Sequence, residues 1–164
     1  MQVAPTRFRH LRVAIVHDWL VVNGGAEKVL KGLAEVFPQA EIFTLVHTLE
    51  RASIPWLTQH RIHTSGLQRL PFISRFYRHC LPLMPYAIEQ FDLRGFDLVI
   101  SSSHAVAKGV ITHPGQTHIC YCHTPMRYAW DMKEAYLENS HFRLPGMTAY
   151  VRKTLKRLRQ WDYF

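Results

Sequence analysis

Three short stretches hold the residue types that could do chemistry. In His118-Ile-Cys-Tyr-Cys-His-Thr-Pro-Met-Arg-Tyr-Ala-Trp-Asp131 an apolar, strand-like run turns polar at His123-Thr124-Pro125 and then reaches Arg127. Pro125 biases Thr124 toward extended backbone and fixes the exit path. His123 can donate a hydrogen bond to a sugar hydroxyl or accept one from it, and Arg127 can hold a phosphate through two parallel bonds. The second stretch is Val13-Ala-Ile-Val-His-Asp18, which runs on to Asn23-Gly24-Gly25 and a helical pattern. The first amides of a helix are unpaired and carry partial positive charge, so they attract phosphate, and glycine lets the backbone come close to it. Asp18, at the strand end, could orient a substrate hydroxyl or assist its deprotonation. Equally, it could accept hydrogen bonds from loop amides. The third stretch is Ser101-Ser-Ser-His104. It lacks the glycines of a nucleophile elbow, so its hydroxyls are expected to cap a helical turn or line a cleft rather than attack a substrate.

Two other chemistries are disfavoured. Gly-x-Gly-x-x-Gly is absent around Gly24-Gly25, which argues against a dinucleotide-dependent oxidoreductase. Cys120-Tyr-Cys122-His123 has short spacing and no second ligand pair, so a zinc site is not expected, and cysteine in a buried strand is usually a small hydrophobe. No metal and no cofactor are assigned.

The elements that must position these residues follow from periodicity. Residues 11–17 read as a buried strand. Residues 26–37 read as a helix with Val29, Leu30, Leu33, Ala34 and Phe37 on one side, stopped by Pro38, and 40–46 read as a second strand. Strand, glycine turn, helix and strand in succession make a βαβ unit. Residues 60–64 suggest a short third strand, with helices near 75–81 and from 85 to 90. Strands follow at 96–101 and 117–122, with a short turn and strand at 105–112 between them. A last helix covers 147–158, with Met147, Val151, Leu155 and Leu158 on one face. Strands alternating with helices predict an α/β fold with a doubly wound, mostly parallel, Rossmann-like sheet. Residues 1–10 are expected to form a tail and residues 11–164 a single domain.

The 164 residues are 48% hydrophobic, enough for one domain with its own core. No apolar run reaches the length of a membrane span, and Met1 to His10 has no signal-peptide core, so a cytoplasmic location is the expectation. The three cysteines suit a reducing compartment. The net charge of +8 implies an anionic partner: phosphorylated substrate, anionic lipid or nucleic acid. From Leu67 to Tyr77, Arg69 and Arg75 interleave with Leu70, Phe72, Ile73 and Phe76, a pattern that suits an anionic membrane surface, a solvated face or aromatics that fill the domain's own core.

Three segments, in order, resemble the family-four retaining glycosyltransferases, above all the bacterial mannosyltransferases of polysaccharide assembly. They are Val13-Ala-Ile-Val-His-Asp-Trp-Leu-Val-Val-Asn-Gly-Gly-Ala-Glu-Lys-Val29, Phe96-Asp-Leu-Val-Ile-Ser-Ser-Ser-His-Ala-Val-Ala-Lys-Gly109 and Tyr121-Cys-His-Thr-Pro-Met-Arg-Tyr-Ala-Trp-Asp131. The resemblance covers roughly residues 11–160. It implies one half of a two-domain glycosyltransferase: the N-terminal, acceptor-binding domain. The C-terminal donor domain, with its Glu-x7-Glu pair, has no counterpart here, so the chain is expected to end at a domain boundary. By the family pattern Gly24 and Gly25 approach the donor diphosphate and His123 faces the donor sugar. Asp18 and Arg127 lie near the acceptor or a phosphate. The implied partners are a nucleotide sugar, GDP-mannose first, a lipid-linked glycan acceptor, the anionic inner face of the cytoplasmic membrane, and the missing domain, but no nucleic acid. The alternative is a non-catalytic basic α/β module that binds anionic lipid or nucleic acid.

Overall fold

The computed structural model describes residues 8–50, 54–124, 126, 130 and 147–163. The chain divides into two compact units, Met1–His123 and Thr124–Phe164. The first holds the sheet. Its strands are β1 (Val13–His17), β2 (Glu41–Thr44), β3 (Ile62–Thr64), β4 (Leu98–Ser103) and β5 (Thr117–Cys122). They lie in the order β3-β2-β1-β4-β5, and every pairing is parallel. The fold is Rossmann-like α/β.

The core strands are apolar runs because a parallel sheet is covered on both faces. Every residue of β1 and of β4 is buried. One face carries Val13, Ile15, Leu98 and Ile100, packed with Leu30 of helix α1 (Gly25–Val36) and with Leu57. On the other face, Phe43 of β2 meets the rings of Phe91 and Phe96, each with centroids 5.4 Å away. Helix α1 starts at Gly24 and ends where the amide of Phe37 donates to the Leu33 carbonyl, just before Pro38. The strand β5 is different: most of its side chains are exposed.

Between β3 and β4 the chain makes short helical pieces rather than the two ordinary helices that the pattern predicts. One α-turn, α2 (Ile73–Phe76), leads into a 3-10 stretch at Tyr77–Leu83 and then α3 (Met84–Glu89). Pro82 lies inside the 3-10 stretch, where it lacks the amide an α-helix would use. Phe72, before α2, has φ of 55°, left-handed backbone that a bulky side chain rarely adopts. The turn and strand expected at 105–112 is also corrected: the residues make a 3-10 turn at Ala107–Gly109 and no strand. The cause is that the amides of residues 104–107 bond to a side chain instead of a neighbouring strand.

In the second unit, helix α4 (Met147–Tyr163) buries Val151, Leu155 and Leu158 along one side. Trp130 donates its indole N–H to Asp162 at 2.8 Å. Among the described residues no helix is long and apolar enough to cross a membrane.

Candidate functional site

The strand order reverses between β1 and β4, because β2 lies on one side of β1 and β4 on the other. A crevice outside the carboxyl ends of the strands at such a reversal is where open α/β sheets bind ligands. His17 ends β1 and pairs in register with Ser102 of β4, which pairs with Tyr121 of β5. The ladder runs one step further, with the amide of His123 donating to the Ser103 carbonyl at 2.9 Å. Residue alternation then puts His17, Ser102, Tyr121 and His123 on the face that carries Val13, Ile15 and Ile100.

These side chains are linked. The Ser102 hydroxyl lies 2.9 Å from Nε2 of His123 and 3.2 Å from Nδ1 of His17. The same Nδ1 is 3.2 Å from the Ser102 carbonyl oxygen. On its far side, Nε2 of His17 is 3.6 Å from a carboxylate oxygen of Glu27. The other Glu27 oxygen accepts the Gly24 amide at 2.8 Å, the one half of a capping box that a glycine at the N-cap allows. His17 is fully buried and Glu27 is 4% exposed. Burial works to raise the Glu27 carboxyl, but the His17 ring and the amides of Gly24 and Glu27 outweigh it, and the group sits below its ordinary value. Burial lowers His123, helped by the neighbouring rings of His17 and His104.

Asp18 makes a separate construction. Its Oδ2 accepts the amides of His104 at 2.7 Å and Ala105 at 3.0 Å, and its Oδ1 accepts those of Val106 and Ala107, each at 2.7 Å. The carboxylate is fully buried. Of the two roles open to it from sequence, acceptor of loop amides is the arrangement present. Nδ1 of His104 lies 3.0 Å from Oδ2, and the His104 ring stands edge-on to Trp19 with centroids 4.5 Å apart. Burial dominates in holding His104 below its ordinary value, although Asp18 works against it. Asp18 therefore joins the end of β1 to the turn after β4 and positions His104 beside the crevice.

Gly24 and Gly25 differ. A side chain on Gly24 would meet the Glu27 carboxylate at 3.2 Å, whereas one on Gly25 would meet open space. The start of α1 thus already carries one acid of its own, and Gly25 is the more open point of approach. His123 is brought together with Ser102, His17 and Glu27; Pro125 and Arg127 lie outside the described residues. Arg69, Phe72, Arg75 and Phe76 belong to a different part of the first unit, and all four are exposed.

Sequence reasoning passed over Glu27, His17 and Ser102 as a connected set. The Gly24-x-x-Glu27 spacing is a local capping signal that points to Glu27. No comparable signal joins His17 to Ser102, because their pairing depends on the strand order. Among the described residues, no group of three or more histidine, cysteine or acidic side chains is placed to hold a metal ion. No family model matches the chain, and no curated protein or solved structure matches it.

Proposed function

We propose that the chain is the acceptor-binding half of a retaining hexosyltransferase, moving a hexose such as mannose from a nucleotide sugar to a lipid-linked glycan. The observation that carries this is the convergence of His123, Ser102 and the Gly24-Gly25 helix start on the crevice where the strand order reverses. The three ordered sequence resemblances supply the reaction class. In the proposed reaction the departing diphosphate takes the acceptor proton on the face it leaves. The protein's part is to position both substrates and to stabilise negative charge as it develops. His123 meets the donor sugar, the amides near Gly25 meet the diphosphate, and Asp18 fixes the turn that presents His104.

The acceptor's lipid brings the domain to a bilayer. Phe72 is 72% exposed and Phe76 52% exposed, beside Arg69 and Arg75. Apolar rings entering the headgroup region and arginines meeting anionic lipid give such a surface both its affinities. Ile73 and Tyr77, by contrast, turn inward and are buried.

Titration of GDP-mannose and of uridine-diphosphate sugars into isotope-labelled chain tests the donor contact by nuclear magnetic resonance. Weak binding is expected, with shifts at Gly24, Gly25, Ser102 and His123 that vanish in His123→Ala. No shift at these residues with any nucleotide sugar sinks the proposal. Cosedimentation with anionic and neutral vesicles, at low and high salt, tests the membrane contact. Binding to anionic vesicles alone, weakened by salt and by Arg69→Glu with Arg75→Glu, is expected; no binding at low salt defeats it.

A further inference from the structure

We propose that His17 is a positioning residue that acts on His123 through the Ser102 hydroxyl, giving the chain of hydrogen bonds one direction and leaving the His123 proton on Nδ1, ready to donate to a ligand oxygen. It deepens the function proposed above and rests on the ligand-facing role given there to His123.

The direction follows from one group that can only accept. Nδ1 of His17 is 3.2 Å from the Ser102 carbonyl oxygen, which has no proton to give. That contact is a hydrogen bond only if Nδ1 carries the hydrogen. The same N–H is 3.2 Å from the Ser102 hydroxyl oxygen, which therefore receives it. A hydroxyl oxygen can accept twice, but accepting from His123 as well would leave the hydrogen of the buried Ser102 hydroxyl unpaired, so that hydrogen goes to Nε2 of His123 at 2.9 Å. An O–H cannot donate to a nitrogen that is itself protonated, so Nε2 is the acceptor and the neutral His123 ring carries its hydrogen on Nδ1. Among the described residues Nδ1 of His123 makes no hydrogen bond, so this donor remains available.

Glu27 stands on the far side of the His17 ring. Its carboxylate is held by the Gly24 amide and faces Nε2 of His17 at 3.6 Å. Turning the imidazole over would replace that nitrogen with a carbon and remove Nδ1 from Ser102. What opposes such a turn is the loss of both Nδ1 contacts to Ser102; Nε2 lies beyond hydrogen-bond length from the carboxylate and, on a neutral ring with its hydrogen on Nδ1, presents only a lone pair to it. Tyr121 stacks edgewise on His123 at 4.9 Å, and His104 lies beside it with ring centroids 6.4 Å away. Neither makes a hydrogen bond to the His123 ring among the described residues, so neither decides its tautomer.

The two imidazole nitrogens of a histidine give separate nitrogen-15 signals that identify which one is protonated. The test is a long-range proton–nitrogen spectrum of the whole chain, recorded above the ordinary histidine pKa. In the unmodified protein His123 is expected as the Nδ1–H form. Ser102→Ala should move it toward the Nε2–H form that free histidine prefers, and Ser102→Thr should restore the Nδ1–H form. An Nε2–H signal for His123 in the unmodified protein overturns the inference, whether or not the variants fold. An unchanged Nδ1–H signal in folded Ser102→Ala also overturns it. The nucleotide-sugar titration is read separately. Its failure with the Nδ1–H form intact removes the ligand and keeps the positioning chain, while success with the wrong tautomer does the reverse.

Discussion

The carboxyl ends of β1 and β4, where a crevice is expected, and the segment from Leu70 to Tyr86 invert the usual partition of residues in opposite ways. At the crevice, His17, Asp18, Ser101, Ser102 and Ser103 are polar and buried. In the segment, Leu70, Phe72, Phe76, Leu83 and Tyr86 are apolar and exposed. Polar groups are tolerated in the interior when they are hydrogen-bonded, and Asp18 meets that condition with four amides. Exposed apolar groups have no such internal compensation, and the membrane contact proposed above would supply an external one. The crevice should therefore respond to mutation through stability, and the segment through association.

The largest effect expected from this contrast is at Asp18. Asp18→Ala strips the amides of residues 104–107 of their acceptor, and leaving buried donors unpaired should cost about 3–5 kcal/mol. Urea unfolding checks it. A loss under about 1 kcal/mol would mean that water replaces the carboxylate and that the interior is less dry than its burial implies. Asp18→Asn should fare little better, because its amide N–H groups would face other donors.

Acid should act next. Burial is the leading cause that holds His104, His118 and His123 below their ordinary values. Each is neutral more readily folded than unfolded, so the unfolded chain binds more protons in the mildly acidic range. Their contribution to stability is complete above the unfolded histidine value, about 6.5, and is lost as pH falls through it toward the folded values. Urea midpoints should drop on acidification through that range, and less so in His118→Gln. A flat profile would contradict the lowered values of these partly buried rings.

The smallest effect expected has the opposite sign. Phe72 holds left-handed backbone with its ring in solvent. Phe72→Gly relieves that conformation and removes little packing, so it should stabilise the fold by about 0.5–1 kcal/mol while weakening attachment to anionic vesicles. Destabilisation by more than about 1 kcal/mol would place Phe72 among the folding residues rather than the associating ones.

The legible parts of this molecule are those set by local pattern. Val13–His17 and the apolar start of Leu98–Ser103 announce themselves as continuous apolar runs because both of their faces are covered, but the strand expected at 96–101 runs on through Ser102 and Ser103, which read from sequence as its polar end. Gly24-Gly25 announces the turn into α1, and the parallel sheet follows from the alternation of elements. The region after β3 is blurred by Pro71, Pro82 and Pro85, which break helical periodicity into single turns. At the crevice, His123 is visible beside its polar switch. Asp18 is visible as a residue, but its partners lie 86 to 89 positions along the chain, and no spacing rule reaches that far.

The strand order also sets the tempo of assembly. β1, α1 and β2 can associate as soon as they are made, but β1 must then wait for β4, whose first partner position, Leu98, faces Val13. Closing a loop of that length carries an entropic cost of roughly 4 kcal/mol before any contact rewards it. Until then one edge of β1 stands open, and His17 and Asp18 have none of their β4-side partners. The central seam and the crevice therefore form in the same late, cooperative event. A nascent or half-folded chain has the helix and the glycines but no site, and its open strand edge is where misassembly would begin.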